Sequence, residues 1–347
     1  MGRNFAGGFM ELIEINAGMQ YKVECGRSFA QMYLTDIFKK RLENAQVAVI
    51  TDREVSGYYI SDFVRQFERI GIKPVIIVID GSQAAKSFDM VRTVFERLTD
   101  IEFSKSDLLF AMGGGGVIDV TAFVAATYQK GIEYVQIPTS LLAMVDSSIS
   151  PDAYLNFQSH KNQIGITYSP VHVVIDTEYL RTLPPRFQAN GIAQIIQYGL
   201  LDRPDLLKDL VAPQMDMLHL IDTCVQTKKE IVSRNPVYLT FGHEIAEAIE
   251  GHFRFLKYTH GEAMALGMRA LYQSDDLLRL YEQHGLPTSV TGVAKDTLLN
   301  RITKKYENRI EEVSLVRLVS EGNPVIEKIP SDEIAGVYDK LLSGICL

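Results

Sequence analysis

Two histidines stand at the starts of neighbouring apolar, helix-forming runs. His243 opens one within Thr240-Phe241-Gly242-His243-Glu244-Ile245-Ala246-Glu247-Ala248-Ile249-Glu250. His260 opens the other within Thr259-His260-Gly261-Glu262-Ala263-Met264-Ala265-Leu266-Gly267-Met268. Imidazoles at the mouths of adjacent helices make a pair of nitrogen ligands for a divalent metal, and zinc suits such donors. Glu247 follows His243 by four residues, so a helix puts both on one face. Glu247 therefore offers either a carboxylate ligand or the partner of a surface or buried ion pair.

A second chemical element is Gly113-Gly114-Gly115-Gly116, which follows an apolar run ending at Met112 and precedes a helical run over 119–130. Glycines at a strand–helix turn let backbone amides approach a phosphate, and the helix N-terminus adds partial positive charge. The spacing is not the usual dinucleotide fingerprint, and a tight turn is the alternative reading.

The elements that must carry these groups alternate through the first half. Apolar, β-branched runs at 46–50, 73–79, 108–112, 134–138 and 171–176 predict strands, and amphipathic stretches such as 56–70 and 90–98 predict helices. This alternation implies an α/β fold with a parallel sheet covered on both faces. After Leu183-Pro184-Pro185 the periodicity is helical, from 187 to the end. The expected domains are 1–180, built on the parallel sheet, and 181–347, mostly α-helical, with the Pro-Pro pair as a hinge.

A chain of 347 residues exceeds one simple core. Its net charge of −8 and lack of a basic tract argue against nucleic acid or an anionic membrane as the main partner. Cys25, Cys224 and Cys346 have no metal-type spacing and fit a reducing compartment. No apolar run is long enough to span a membrane. The first nine residues are too short and polar for a signal peptide, and Met10 is an alternative start. Cytoplasmic residence is the expectation.

Several segments in unbroken order resemble the 3-dehydroquinate synthases and related sugar-phosphate cyclases. They run from Gly113-Gly114-Gly115 to Asp119, then through Phe123-Val124-Ala125-Ala126-Thr127-Tyr128 and Ile137-Pro138-Thr139-Ser140-Leu141-Leu142-Ala143-Met144-Val145-Asp146-Ser147-Ser148. Lys161-Asn162-Gln163-Ile164-Gly165, Ile175-Asp176-Thr177, Leu183-Pro184-Pro185-Arg186, Tyr198-Gly199-Leu200 and the two histidine segments follow. The resemblance covers about residues 45 to 290 and is specific as an ordered set, whereas a single piece such as Leu-Pro-Pro-Arg is weak. It implies an N-terminal NAD-binding α/β domain, a helical C-terminal domain, an active site in the cleft between them and a homodimer. It also implies a reaction of transient oxidation by NAD, phosphate elimination, reduction and aldol closure, with a divalent metal, usually zinc, on the reacting hydroxyls.

Matched residue by residue, the resemblance assigns the cofactor to Asp52, Lys86, Gly114, Gly115, Asp119, Thr139, Ser140, Leu142, Asp146, Lys161 and Thr177. Taken singly, Asp119, Thr139 and Ser140 are equally well helix caps. Two positions depart: Gln83 replaces a glutamate, and Ile118 replaces a glycine, which predicts a reshaped loop because a β-branched residue resists positive φ.

The substrate side departs further. The family's metal site is two histidines and a glutamate; here His243 and His260 meet Gln194, a neutral amide and a poorer ligand than a carboxylate. Glu247, standing where the family has a histidine, is the candidate to rebuild the set. At anion-binding positions two lysines become Asp152 and Gln197, an arginine becomes Pro236 in a shortened loop, and an asparagine becomes Thr240. Lys130, Asn162 and Lys228 survive. An aspartate beside a phosphate repels it, so the resemblance implies a less anionic sugar- or polyol-derived substrate, with Lys161, Asn162 and Lys228 holding it or the nicotinamide. A metal-dependent polyol dehydrogenase and a non-catalytic NAD-binding relative with a regulatory role are the alternatives.

Overall fold

Five apolar runs that predict strands lie side by side in one sheet. The computed structural model describes residues 11–16, 20–27, 30–82, 85–158, 160–306 and 311–346; Met10 and Gln83 lie outside them. The chain divides into two units, Met1–Pro184 and Pro185–Leu347. The division falls between the two hinge prolines rather than at 180.

The first unit contains β1 (Glu11–Asn16), β2 (Gln20–Gly26), α1 (Ala30–Ile37), β3 (Val47–Asp52), α2 (Arg53–Glu68), β4 (Val75–Ile79), α3 (Phe88–Asp100), β5 (Leu108–Gly113), α4 (Gly115–Thr127), β6 (Tyr134–Pro138), α5 (Leu141–Val145), β7 (Asp152–Phe157), β8 (His160–Thr167) and β9 (His172–Asp176). The main sheet has the order β1-β2-β9-β6-β5-β3-β4. Its strands β2, β9, β6, β5, β3 and β4 are parallel, and β1 is antiparallel at the edge. Every residue of β5 and β6 is buried, which is why both read as unbroken apolar runs. β2 carries polar residues between apolar ones, so it lacks that signature and went unpredicted, as did the β7–β8 hairpin. The strand order reverses between the parallel β3 and β5, since β3 leads through α2 to β4 on one side and β5 through α4 to β6 on the other. Ligands of such sheets bind at the carboxyl ends of the strands flanking this switch.

The second unit holds α6 (Pro185–Leu201), α7 (Asp205–Leu210), α8 (Met217–Arg234), α9 (His243–His252), α10 (His260–Leu271), α11 (Asp275–His284), α12 (Lys295–Tyr306), β10 (Glu312–Ser320), β11 (Asn323–Pro330) and α13 (Ile334–Ser343). The β10–β11 hairpin corrects the expectation of helix to the end. Val313, Leu315 and Ile329 of the hairpin are buried in one core with Ile245, Met264, Leu298 and Tyr338 from the helices. No helix among the described residues is long and apolar enough to cross a membrane.

Candidate functional site

In the first unit the expected cofactor residues gather at the carboxyl ends of the strands. Asp52 closes β3, Gly114 follows β5, Thr139 follows β6 and Thr177 follows β9. Gly114 caps α4 without a side-chain bond, so the amides of that helix end remain for an anion. The chain is tightly drawn in here. A Cβ on Gly116 would lie 2.8 Å from the carbonyl oxygen of Gly81, and one on Gly81 would lie 2.8 Å from Cβ of Asp52. Thr139 N–H donates to Gly113 O at 3.0 Å, holding β6 to the turn.

Lys86 is the charged centre of this unit. Its side chain is only 3% exposed, and Nζ lies 2.6 Å from Oδ2 of Asp119. Nζ also donates to Oδ1 of Asn162 at 2.7 Å. A buried ammonium needs such partners. Burial pushes the Asp119 carboxyl above its ordinary range, while Lys86 and Lys161 pull it back down. Asn156 N–H donates to Lys86 O at 2.7 Å and its Oδ1 accepts from Asn162 N–H at 3.0 Å, fastening the β7–β8 hairpin to the same lysine.

Several expected roles take a different local form. Asp52 caps α2, accepting from Val55 N–H at 2.9 Å through Oδ1. Ser140 caps α5, Asp146 precedes the 3-10 turn Ser147–Ile149, and Leu142 lies within α5. Thr177 is buried, its hydroxyl 3.4 Å from Gly26 O. Ile118 sits in the first turn of α4, buried and outside the positive-φ residues, as a β-branched side chain requires. Lys130 lies just beyond the opposite end of α4 from the glycine turn, exposed and at φ 67°.

In the second unit a glycine pair sets the histidines. Gly242 has φ 85°, which favours glycine, and a Cβ there would lie 2.9 Å from Met268 N. A Cβ on Gly267 would lie 2.1 Å from Gly242 O. The start of α9 thus lies directly on α10, and the rings of His243 and His260 have centroids 5.8 Å apart. With metal–nitrogen bonds of about 2.1 Å, two imidazoles on one ion have centroids roughly 5–6 Å apart, so the pair fits a shared cation. His260 opens α10 behind a capping box of Thr259 and Glu262. Its Nδ1 lies 3.2 Å from Oε2 of Glu250, which is 2% exposed. An ionised carboxylate only accepts, so in this pairing Nδ1 carries the proton, the tautomer whose ligating nitrogen is Nε2. Sequence reasoning missed Glu250, whose only signal is its place two turns after His243 on the same helix.

Gln194 is buried on α6, which packs against α10 where Gly261 presses on the backbone of Asn190, one turn before Gln194. Gln197 donates Nε2 to Phe241 O at 2.8 Å and to Leu239 O at 3.1 Å. Its Oε1 is therefore an acceptor, and Gln194 donates Nε2 to it at 2.7 Å. That chain fixes which end of Gln194 remains: Oε1, the atom a cation would want.

Glu247 is not turned to this set. It is half exposed and bonds Lys305 at 2.8 Å, beside Glu244 on the same lysine. Among the described residues no three His, Cys, Asp or Glu side chains form a metal-holding group. In this structure Glu247 is engaged with Lys305 rather than grouped with the two histidines. Lys228 is buried on α8. Asp152 accepts from Thr167 Oγ1 at 2.7 Å, and Thr240 donates to Val237 O at 2.8 Å within the 3-10 turn Pro236–Thr240.

Residues 76–190 match the family described as 3-dehydroquinate synthase N-terminal, and residues 191–308 match 3-dehydroquinate synthase C-terminal. The 3-dehydroquinate synthase of Clostridium acetobutylicum is 30% identical over 318 residues, 85% of this chain and 89% of that protein. That of Caldanaerobacter subterraneus subsp. tengcongensis is 31% identical over 330 residues, 87% and 92% of the two chains. Among solved structures, a 2-deoxy-scyllo-inosose synthase complexed with carbaglucose-6-phosphate, NAD+ and Co2+ is similar with a TM-score of 0.80 at 21% identity, over 95% of this chain and 100% of the other. A 2-epi-5-epi-valiolone synthase from Streptomyces hygroscopicus subsp. jinggangensis with NAD+ and Zn2+ bound reaches 0.83 at 21% identity, over 95% and 99%. At those identities the likeness is one of fold.

Proposed function

The chain belongs to the 3-dehydroquinate synthase family, and on that premise we propose that it is an NAD-dependent cyclase acting on a sugar- or polyol-derived substrate less anionic than the family's usual one. The observation that carries the NAD half is the buried Lys86, held between Asp119 and Asn162 one turn into the helix that follows the glycine turn. The uncapped amides of α4 would face the cofactor's phosphates, and the second oxygen of Asp52 a ribose hydroxyl. Bound NAD supplies a hydride acceptor and donor.

The altered substrate rests on the replaced anion positions. Asp152 brings negative charge, and the Gln197 amide is consumed by two carbonyls and Gln194. Asn162 shares its side-chain oxygen with Lys86, leaving its amide NH2 to donate. Lys161 adds positive charge beside Asp119. A divalent ion held by His243, His260 and Oε1 of Gln194 would supply Lewis acidity to a substrate hydroxyl. Glu250 holds the His260 proton on Nδ1.

Titration of the purified full chain with NAD tests the reading. Binding is expected, with a loss of at least about tenfold in Lys86→Met, the worth of roughly one charge-assisted bond. No NAD binding by the folded protein would overturn it. The replacement of the usual carboxylate ligand by Gln194 favours a second reading, a non-catalytic relative. NAD binding without any transient NADH absorbance across sugar phosphates and polyols would support that reading instead.

A further inference from the structure

Arg186, Asn190 and Gln194 follow one another at intervals of four along α6, so they lie on one side of that helix. The first two hold the opening turn of α10. Arg186 Nε donates to Oε1 of Glu262 at 2.7 Å, and its Nη2 donates to Oε2 at 2.7 Å. The same Nη2 donates to Lys257 O at 2.7 Å, in the connection that leads from α9. Glu262 is the third residue of α10, and its Oε2 also accepts from the Thr259 N–H at 2.8 Å. One guanidinium thus grips the chain before and after His260. One turn along α6, Oδ1 of Asn190 accepts from the Gly261 N–H. A Cβ on Gly261 would lie 2.6 Å from Cα of Asn190, so the two helices meet backbone to backbone there. Gln194 comes one turn later, its amide nitrogen already given to Gln197.

An ion pair at a surface usually contributes little, because water screens it and two long side chains must be ordered. A two-pronged guanidinium–carboxylate pair is the exception, since its geometry is fixed in one plane. Here the carboxylate is also shielded, at 14% exposure. Two contacts then place α10. Gly242 and Gly267 lay it on α9 and set the two imidazoles against each other. Arg186 and Asn190 lay it on α6, the helix that carries Gln194.

We propose that Arg186 is a positioning residue for the third metal donor. Its grip on Glu262 and Lys257 holds the register of α10 on α6 in which Oε1 of Gln194 and the ring of His260 serve one divalent ion. The inference rests on the reading that these two and His243 share a cation, and it is independent of the NAD reading. Arg186 acts only through the two helices.

Chelator competition with Zn2+ and Co2+ on the full-length protein, at a temperature where each variant is folded, is the test. Wild type is expected to bind, and Gln194→Ala to bind about tenfold more weakly. Arg186→Met should weaken binding about three- to tenfold, and the visible spectrum of the Co2+-loaded protein should shift with it. Arg186→Lys should lose nearly as much, because one ammonium cannot span both carboxylate oxygens and the Lys257 carbonyl. In a Gln194→Ala background, Arg186→Met should add less than about twofold, since the donor it places is gone. A role in stability alone would lower Tm equally in both backgrounds and leave the metal affinity of folded protein where it was. Wild-type affinity in Arg186→Met, or an undiminished effect of it beside Gln194→Ala, would overturn the proposal while the shared-cation reading stands on the loss in Gln194→Ala. No metal bound by wild type, or Gln194→Ala at wild-type affinity, would overturn that reading and this proposal together.

Discussion

Gln194 donates its side-chain amide to the side-chain oxygen of Gln197 across 2.7 Å, one helical turn away on the buried face of α6. The family resemblance puts a glutamate and a lysine at these two positions. Here both positions are neutral amides whose hydrogen bonds close on each other and on the Leu239 and Phe241 carbonyls.

The closed pair predicts that restoring the carboxylate alone is costly. In Gln194→Glu a buried charge would face the oxygen of Gln197, whose amide is held by the two carbonyls. In chelator this should destabilise the protein by about 1–3 kcal/mol, while metal affinity rises because the third donor becomes anionic. Adding Gln197→Lys should recover the lost stability. Denaturant unfolding and metal competition read both effects; a single variant as stable as wild type in chelator would refute the pairing.

Glu250 is predicted to be a positioning residue. Glu250→Gln removes the charge that fixes the His260 proton on Nδ1, and affinity for zinc or cobalt should fall about 10- to 100-fold. The far-ultraviolet spectrum should not change. Unaltered metal affinity in the folded variant would remove Glu250 from this role.

Glu247 should prove dispensable. Its half-exposed ion pair with Lys305 is of the kind that contributes little. Glu247→Ala is expected to change stability by no more than about 1 kcal/mol and to leave metal affinity as it was. A marked loss of metal would return the carboxylate to the ligand set.

Glu262 carries a pH signature. Burial alone would raise its carboxyl, but the bonds from Arg186 and the Thr259 N–H reverse that and hold it below the ordinary glutamate value. With the folded pKa below the unfolded one, the unfolded chain binds more protons in that interval. The contribution is therefore complete above the unfolded value and is lost as pH falls through the folded one. Urea unfolding of wild type and Glu262→Gln across acidic pH should show the stability difference shrinking on acidification. A difference independent of pH would contradict it.

Gly116 gives a test of the glycine turn. A methyl there meets the Gly81 carbonyl oxygen at 2.8 Å, backbone that can yield only by moving. Gly116→Ala should cost about 1–3 kcal/mol and weaken NAD binding by displacing the segment beside Asp52. Gly336→Ala, whose added carbon meets nothing within 4 Å, is the control and should leave NAD binding unaltered.

The strands that were legible are those buried on both faces. Runs such as Leu108–Gly113 need no polar face and announce themselves by composition. β2, β7, β8 and the β10–β11 hairpin mix polar and apolar residues, and their pairing depends on partners far along the chain. Glycine turns and histidine-led helices were legible because local backbone chemistry requires those residue types.

By itself, then, the sequence determined the family, the α/β and helical halves, and the residue types at each candidate position. It could not decide which way those side chains face. Glu247 shares a helical face with His243 by spacing alone, yet Lys305 of α12 draws it outward. Glu250 instead reaches the ring of His260. Gln194 presents an oxygen rather than an amide because two carbonyls fix Gln197 first. These orientations depend on hydrogen-bond partners from other elements, and only the tertiary structure brings those partners within bonding distance.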